Sequence, residues 1–477
     1  MRRVIREAIR EFSSLRVQVQ KAVPRAESNH TLSHQLMELT TINVPPKVAE
    51  DFYLSMDSES EWESIEAIQT LRENAALEKL AHRAEEAFYV INLARLRAKH
   101  LQWKDLLARV EPFYAIKCNP DHRLLNTLNS MGCGFDCASI LEMEAALGAG
   151  ASPQQIIYAN PCKPSHHLEG AKKLGVTLST FDSCSELIKI AKIHPGSELI
   201  LRILVDDSSS VCQMGKKYGA SLESVPQLLD VAKKLGLSVV GVSFHVGSGC
   251  RNAEAFSDAV TLARKAFDIA HSKGFSPRIL DVGGGFPGEF LPDRKLGGIS
   301  FSDIAKTLEV ALDESFPADS GVRIIAEPGR YYATSTHTLA ARVIGRREPN
   351  HCNLIFDQKS QKFQSQAAPG YMYYINDGLY GSFNCVLYDH IDVSATSHPE
   401  CINMGSKMSL KNGQEDEAYA CSIWGPTCDG LDCVMTDAHL PLLEEGDWLS
   451  FRNMGAYTNA AGSNFNGFMK PKIFYID

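Results

Sequence analysis

The stretch Asp281–Gly288 has the sequence DVGGGFPG and could bind a phosphate group. Its glycines match G-x-G-x-x-G, but in a dinucleotide-binding turn a helix begins inside that motif and faces the pyrophosphate. Here Pro287 and EFLPDRKLGG follow, and the next helical pattern begins near Ser302. A dinucleotide is therefore disfavoured. Successive glycine N–H groups can still close around one phosphate, and a tight turn without a ligand is the alternative.

A lysine, an arginine and a glutamate could complete a cofactor site around that phosphate. Lys117 ends the apolar run PFYAIK, where burying a cation is costly, and desolvation would lower its pKa and leave a nucleophilic amine. Arg330, in EPGRYY, adds a fixed cation for the phosphate. Glu327 precedes it and could pair with a ring nitrogen. Together these residues predict pyridoxal phosphate as the cofactor.

Two further residues allow a structural explanation beside the functional one. His245, in SFHVGSG, could be an ordinary buried histidine or could stack on the cofactor ring. The presence of Lys117, the glycine turn and Glu327 in the same chain favours stacking. Ser139-Ile-Leu-Glu142 matches a capping box, so helix capping is the better explanation of Glu142 from spacing alone.

Short apolar runs alternate with helical stretches from about residue 112 and must position these side chains. Runs that are nearly continuously apolar are typical of parallel strands covered on both faces. Eight such units predict a (β/α)8 TIM-type barrel, in which the loops after strands seven and eight commonly bind phosphate; a doubly wound sheet is the alternative. The runs are FYAIK (113–117), GFDCA (134–138), QIIYAN (155–160), LSTFD (178–182), ELILRILV (198–205), SVVGVSFHV (238–246), RILDVGG (278–284) and VRIIAEPG (322–329).

The rhythm stops beyond residue 336, where the short runs THTLAARVIG, YMYYIND, GDWLSFRN and KIFYID predict a separate, mostly antiparallel β-sheet or β-sandwich domain. We expect the polar insert 351–369 to be a surface loop. The predicted organisation is a partly disordered N-terminal extension (1–84), a segment belonging to the β domain (85–110), the cofactor-binding barrel (111–335) and the C-terminal β domain (336–477).

Composition excludes several classes of protein. The 477-residue chain is 44% hydrophobic and 22% charged, which is ordinary globular composition. Its net charge of −9 argues against a general nucleic-acid binder, and no apolar run predicts a membrane span. Thirteen cysteines at irregular spacings, without C-x-x-C, favour reduced thiols and a cytoplasmic location. The Arg-rich N-terminus contains Glu7 and Glu11, which disfavours a mitochondrial presequence. We expect no metal.

The motifs taken together resemble those of the eukaryotic ornithine decarboxylases, which have the alanine-racemase-like fold. The resemblance runs from AFYVINLARL (87–96) to the C-terminal FYID and leaves most of residues 1–84 outside. The motifs that carry it are PFYAIKCN, GFDCAS, IIYANPCK, TFDS, SFHVGSGC, DVGGGFPG, IIAEPGRYY, YINDGLYGSFNCVLYDH, WGPTCDGLD, GAYT and FNGF.

The resemblance implies a set of cofactor contacts. Lys117 would bind pyridoxal phosphate covalently, Glu327 would pair with its pyridine nitrogen, and His245 would stack on its ring. The residues that would hold the phosphate are Ser248, Gly283, Gly284, Gly285, Arg330 and Tyr457. The residues that would support the cofactor and Lys117 are Asp136, Glu142 and Arg202.

The resemblance also implies L-ornithine as substrate, with putrescine and CO₂ as products in the first committed step of polyamine biosynthesis. Asp389, beside Tyr388, would bind the distal amine together with Asp429. Cys428 would protonate the substrate carbon, since a thiol is an acid that its environment can tune. Cys428 and Asp429 would reach the site from the other subunit of a homodimer. Lys217 and Asp432 would pair across that dimer, with Tyr380 and Phe465 packed at the interface.

Two alternatives remain open within this resemblance. An antizyme-inhibitor-like regulator would lack cofactor and substrate residues, but Asp136, Arg202, Gly283 and Asp429 are intact. A decarboxylase of lysine as well as ornithine is the second alternative, because one methylene contributes only ~1–3 kcal/mol to discrimination. Control by an antizyme-type regulator is in doubt, since the segment PSHHLEGAKKLG departs from the basic helix thought to meet antizyme.

Overall fold

The structure is a computed structural model that describes residues 59–289, 298–349, 352–357, 362–367, 370–391, 393, 400–402 and 418–477. From Gln69 onwards the chain forms one compact unit. The helices, in chain order, are α1 (Glu59–Ala81), α2 (Leu93–Leu106), α3 (His122–Ser130), α4 (Ile140–Gly148), α5 (Ser165–Leu174), α6 (Cys184–Ile193), α7 (Val225–Lys234), α8 (Glu254–Ser272), α9 (Phe301–Ser315), α10 (Arg330–Ala333) and α11 (Cys385–Tyr388).

The strands alternate with these helices in the first part of the chain and follow one another in the second. In chain order they are β1 (Phe88–Asn92), β2 (Val110–Ala115), β3 (Gly134–Cys137), β4 (Ile156–Tyr158), β5 (Leu178–Phe181), β6 (Glu198–Arg202), β7 (Ser210–Cys212), β8 (Ser238–Ser243), β9 (Ser248–Cys250), β10 (Ile279–Asp281), β11 (Arg323–Ala326), β12 (His337–Arg347), β13 (Cys352–Asp357), β14 (Lys362–Ala367), β15 (Tyr371–Ile375), β16 (Glu400–Ile402), β17 (Tyr419–Trp424), β18 (Cys433–Leu440), β19 (Trp448–Phe451) and β20 (Lys472–Ile476).

A closed barrel of parallel strands, in the order β2-β3-β4-β5-β6-β8-β10-β11, confirms the predicted TIM-type barrel. Each of the eight apolar runs contributes one strand. The inner core of the barrel is built from one side chain on each of seven strands, without any helix residue. These side chains are Phe113, Ile157, Leu178, Ile200, Val240, Ile279 and Ile325. A larger apolar cluster joins the outer faces of the strands to the helices. Burial on both faces explains the continuously apolar runs.

Helix α9 illustrates how the sequence builds the outer layer. Ser300 caps it, accepting the N–H of Asp303, whose side chain in turn accepts the N–H of Ser300. Its buried residues Phe301, Ile304, Leu308 and Leu312 recur at helical spacing and face the barrel. Each such side chain contributes about 1.5–3 kcal/mol of hydrophobic stabilisation.

The remaining strands form a mostly antiparallel sheet in the order β16-β19-β12-β15-β17-β18, as predicted. Strand β1 adds to it, antiparallel to β12 and parallel to β20, while helix α2, next in the chain, packs with the barrel cluster. The expectation that 351–369 is a loop is wrong, because β13 and β14 pair there as an antiparallel hairpin.

Helix α1 lies in the segment predicted as an extension, whose residues 1–58 fall outside the described residues. Its Leu77 and Ala81 pack against β1, β12 and β19. Glu73 of the same helix is fully buried and pairs with the guanidinium of Arg95 at 3.0 Å, and it accepts a hydrogen bond from Asn92 Nδ2 at 3.0 Å. The helix is thus tied to β1 and α2 by apolar and charged contacts. No helix in the described part of the chain has the length and apolarity to cross a membrane.

Candidate active site

The carboxyl ends of the barrel strands surround a small cleft. The residues that line it are Ala115, Lys117, His245, Ser248, Gly284, Gly285, Phe286, Glu327, Gly329, Arg330 and Tyr457. All of these except Ala115, Phe286 and Gly329 were predicted to contact the cofactor. The chain therefore brings together residues that are up to 340 positions apart in sequence.

Lys117 lies at one side of the cleft and forms an ion pair with the buried Asp136. Strand β2 ends at Ala115, opposite Asp136 in β3, so Lys117 follows in a 3₁₀ turn (Ile116–Cys118) and not in the strand itself. Burial lowers the pKa of Lys117. The Asp136 carboxylate, Tyr457 and Glu327 raise it, and their combined effect is larger, so the net pKa lies above its usual value. The predicted lowering of this pKa is therefore wrong, because that prediction considered burial alone and left out the negative charge of Asp136, which the resemblance had assigned to the support of Lys117.

Glu327 follows β11, the strand that pairs with β2, and is buried beside two other carboxyl groups. Burial, and then the neighbouring Asp281 and Asp136, hold the pKa of Glu327 well above its usual value, although Lys117 opposes them. Sequence reasoning missed Asp281 as a member of this site. The available signal was a carboxylate at the end of the buried run RILDVGG.

His245 is half-buried at the rim of the cleft. Burial lowers its pKa well below the usual value, and Arg202 and Lys117 lower it further. Its Nδ1 accepts the N–H of Gly247 at 2.9 Å, which fixes the ring. A Cβ on Gly284 would lie 2.9 Å from His245 Nε2 and 2.8 Å from the Glu327 carbonyl oxygen, so only glycine fits there.

The phosphate-binding residues predicted from the sequence converge around Arg330. Its Nη2 donates to Ser248 Oγ at 3.1 Å, and its guanidinium lies 5.2 Å from the Tyr457 ring centre. Arg330 Nε is buried and has no hydrogen-bond acceptor among the described residues. Gly285 has φ of 108°, a value that side chains rarely permit. A buried guanidinium with a spare N–H beside a glycine turn fits the phosphate of pyridoxal phosphate.

Asp389 and Tyr388 occupy different environments although they are adjacent. The Asp389 carboxylate accepts from Arg330 Nη2 at 2.7 and 2.8 Å, so it lies at the phosphate end of the site. Cys212, which the sequence did not indicate, donates its thiol to Asp389 Oδ1 at 3.7 Å. Tyr388 is 73% exposed. Their predicted contacts with the substrate amine remain predictions.

Cys428 and Asp429 do not line the cleft of this chain. Cys428 is exposed and its N–H donates to Asn466 Oδ1 at 3.0 Å. Asp429 is half-buried and accepts the hydroxyl of Tyr380, which lowers the pKa of that carboxyl. The Tyr380 ring stacks on Phe465 with 4.3 Å between ring centres.

Glu142 and Arg202 do not line the cleft. Ser139 Oγ accepts the N–H of Glu142 at 3.3 Å and so caps the helix, but the Glu142 carboxylate accepts the N–H of Ala138, the residue before the cap, so the predicted reciprocal capping box is not formed. Arg202 ends β6 and lies 5.3 Å from the ring centre of Tyr218. Support of the cofactor by these two residues remains a prediction.

The barrel, its glycine turn and the rim lysine define the class of pyridoxal-dependent decarboxylases. The family model "Pyridoxal-dependent decarboxylase, pyridoxal binding domain" matches residues 93–334. Ornithine decarboxylase of Mus pahari is 47% identical, with 82% of this chain and 81% of that protein covered. Antizyme inhibitor 2 of Xenopus laevis is 45% identical, with the same coverage of 82% and 81%.

Structural comparison agrees with the sequence relatives. The crystal structure of the Paramecium bursaria Chlorella virus arginine decarboxylase superimposes with a TM-score of 0.74 and 35% identity, over 84% of this chain and 100% of that one. The chain belongs to the family of the eukaryotic ornithine decarboxylases.

Proposed function

We propose that this chain decarboxylates L-ornithine to putrescine and CO₂, the first committed step of polyamine biosynthesis. The observation that carries the proposal is the single cleft that joins Lys117, His245, Glu327 and the anion-binding group around Arg330. Bound there, pyridoxal phosphate supplies an electron sink for the electron pair left when the α-carboxylate departs as CO₂.

The protein residues then divide the work of binding and orientation. Arg330, Ser248 and the N–H groups of Gly283 to Gly285 hold the phosphate. His245, whose ring is fixed by Gly247, would lie against the cofactor ring. Glu327 would hold the ring nitrogen. Lys117 would supply the amine that attaches the cofactor, and Asp136 holds its Nζ in place.

Substrate selection and the final protonation use the carboxylates and the thiol. Asp389 and Asp429 select a cationic side-chain amine by charge. Cys428 donates a proton to the substrate carbon after CO₂ leaves. Because Cys428 and Asp429 lie outside the cleft of their own chain, we place them in the site of a second copy.

The surface around Cys428 supports a homodimer. Asn466 contacts Cys428, and Phe465 stacks on the tyrosine that binds Asp429, so one continuous surface carries both predicted residues. That surface exposes large apolar side chains, which monomeric proteins seldom leave in contiguous patches. They are Leu431 (70% exposed), Phe465 (42%), Phe468 (43%) and Met469 (80%).

A regulator of the antizyme-inhibitor kind is the second candidate, because such a protein is among the relatives. Retention of Lys117 and Asp136 as an ion pair, with a complete phosphate-binding group, favours the enzyme. A cytoplasmic location and contact with an antizyme-type regulator stay predictions.

The decisive experiment measures CO₂ release by the purified chain with added pyridoxal phosphate. Ornithine, lysine and arginine are compared at equal concentrations, and bound cofactor is followed by its absorbance. We expect a strong preference for ornithine and weaker activity on lysine. Bound cofactor without release from any of the three would point to another amino acid. Absence of both cofactor and release would favour the regulator.

A further inference from the structure

Arg330 is shared between the cleft and Asp389, a carboxylate outside it. Arg330 lines the cleft, whereas Asp389 does not. Both carboxylate oxygens of Asp389 accept hydrogen bonds from the same nitrogen, Arg330 Nη2, at 2.8 and 2.7 Å. The two side chains are only 11% and 9% exposed, so salt and water screen the pair weakly. The guanidinium assigned to the cofactor phosphate is therefore already bound to a protein carboxylate.

The donors of Arg330 allow a second anion beside Asp389. Nη2 also donates to Ser248 Oγ at 3.1 Å, while Nε is buried and has no acceptor among the described residues. Arg330 could therefore bind a phosphate through Nε while Nη2 stays on Asp389. Since like charges repel strongly where water is scarce, the Asp389 carboxylate would then oppose the binding of the phosphate.

A tight turn holds Asp389 beside Arg330. The N–H of Asp389 and the N–H of Ile391 both donate to the carbonyl oxygen of Cys385, each at 3.1 Å. His390 lies between them with φ of 53°, a conformation that is uncommon outside glycine and that recurs at functional sites. The surrounding structure therefore fixes where this carboxylate is placed, and a ligand that meets it acts mainly on its charge.

We propose that Asp389 couples the two ends of the site, so that a cationic amine bound to Asp389 strengthens the binding of phosphate at Arg330. The inference rests on the proposed function, in which Asp389 binds the distal amine of ornithine. A cation beside Asp389 offsets its negative charge, which weakens the repulsion of the phosphate and leaves more of the Arg330 charge to attract it. Coupling of this kind is reciprocal, so bound phosphate strengthens amine binding by the same factor.

Calorimetric titration of the full chain tests the coupling without any reaction. The probe is 4′-deoxypyridoxine phosphate, which has the ring and phosphate of the cofactor but no aldehyde and so cannot link to Lys117. Its affinity is measured with and without putrescine at constant ionic strength. We expect putrescine to tighten binding about tenfold, within the usual range of coupling between sites. Unphosphorylated 4′-deoxypyridoxine is the ligand control and should show no tightening. An equal effect of putrescine on both probes, or on neither, would overturn the coupling.

Variants of Asp389 separate its charge from its contact with Arg330. Asp389→Asn keeps an acceptor for Arg330 Nη2 but removes the negative charge. We expect it to bind the phosphorylated probe about tenfold more tightly than the unmodified chain does, and putrescine to add nothing further. Asp377→Asn is the matched control, because Asp377 is also a buried carboxylate and accepts the N–H of Gly378 at 2.8 Å. It should retain both the affinity and the putrescine effect of the unmodified chain.

The outcomes distinguish this inference from the proposed function. Weaker or unchanged probe binding by Asp389→Asn would contradict the coupling, because the carboxylate would then hold Arg330 in place without opposing the phosphate. If that variant does not fold, the effect of putrescine on the unmodified chain still decides. Failure of the unmodified chain to bind the phosphorylated probe would overturn the proposed function. Binding of the probe without any effect of putrescine would overturn only this inference.

Discussion

Lys117 is the residue on which the cofactor assignment depends most directly. We expect Lys117→Ala to abolish the visible absorbance of the bound cofactor, because no other described lysine lines the cleft. Absorbance spectra of the purified variant with added pyridoxal phosphate measure this. Lys234→Ala, on an exposed helix surface, is the control and should keep the full absorbance. Undiminished absorbance in Lys117→Ala would assign the covalent link to a different residue.

Gly284 gives a prediction that depends on space alone. A methyl group there would meet the Glu327 carbonyl oxygen at 2.8 Å and the His245 ring at 2.9 Å. We expect Gly284→Ala to lose about 1–3 kcal/mol of unfolding free energy and to bind the cofactor weakly. Gly196→Ala is the matched control, since a Cβ there meets nothing within 4 Å. Thermal unfolding and a cofactor titration of both variants measure these effects. Equal melting temperatures and equal cofactor affinities of the two variants would contradict the predicted clash.

The sequence indicated most individual site residues, and the resemblance added Asp136 as a support of Lys117, but the local patterns did not give the electrostatic effect of these residues on one another. Lys117, Glu327 and Arg330 stand at the ends of recognisable strands, so their convergence on one rim follows from the barrel. The pairing of Lys117 with Asp136 depends on the register of β2 against β3, which no local pattern encodes. For the same reason the pKa of Lys117 was predicted in the wrong direction, and Asp281 was overlooked.

At the scale of elements, helix α1 depends on a buried charge. The Glu73–Arg95 pair is 2–3% exposed. We expect Glu73→Ala to cost about 3–5 kcal/mol of unfolding free energy, because it leaves the arginine charge without its carboxylate. Combining Glu73→Leu with Arg95→Met should cost less. Asp268→Ala, which breaks an exposed pair with Arg264 on α8, should change stability by only about 0.5 kcal/mol. Denaturant unfolding measures the free energy of unfolding of each variant. A loss in Glu73→Ala as small as the loss in Asp268→Ala would contradict the dependence of helix α1 on the buried pair.

Elements were predictable where both faces of a strand are buried. The barrel strands are such cases, and each of their apolar runs was found. The hairpin of β13 and β14 was missed because its residues, CNLIFD and KFQSQA, are bounded by polar stretches that are equally compatible with a loop. Helix α1 was missed because its apolar and charged residues do not separate onto two faces at helical spacing. The burial of its last turns comes from contacts with strands that are distant in sequence.

For the whole molecule, the predicted sharing of sites gives a quantitative test. Lys117→Ala and Cys428→Ala should each be inactive alone. Mixing them should restore roughly a quarter of the unmodified activity if subunits exchange randomly, because half of the dimers are mixed and each has one intact site. Activity assays after proven exchange measure this. Mixing Lys117→Ala with itself under the same treatment is the control, and no recovery in the true mixture would place each site within one chain.

The pairing of β1 with β20 has a consequence for biosynthesis. Residues 88–92 lie in register with residues 472–476, so the sheet joins two ends of the described fold. Tyr457, at the cofactor site, also donates its N–H to the carbonyl of Cys118. When only the barrel segment of a nascent chain has left the ribosome, the barrel can form. The β-sheet and the phosphate site cannot form yet, because β20 and Tyr457 have not been synthesised. Prematurely terminated chains are therefore left with an unpaired β1 edge, which exposes them to aggregation and to the cell's proteolytic quality control.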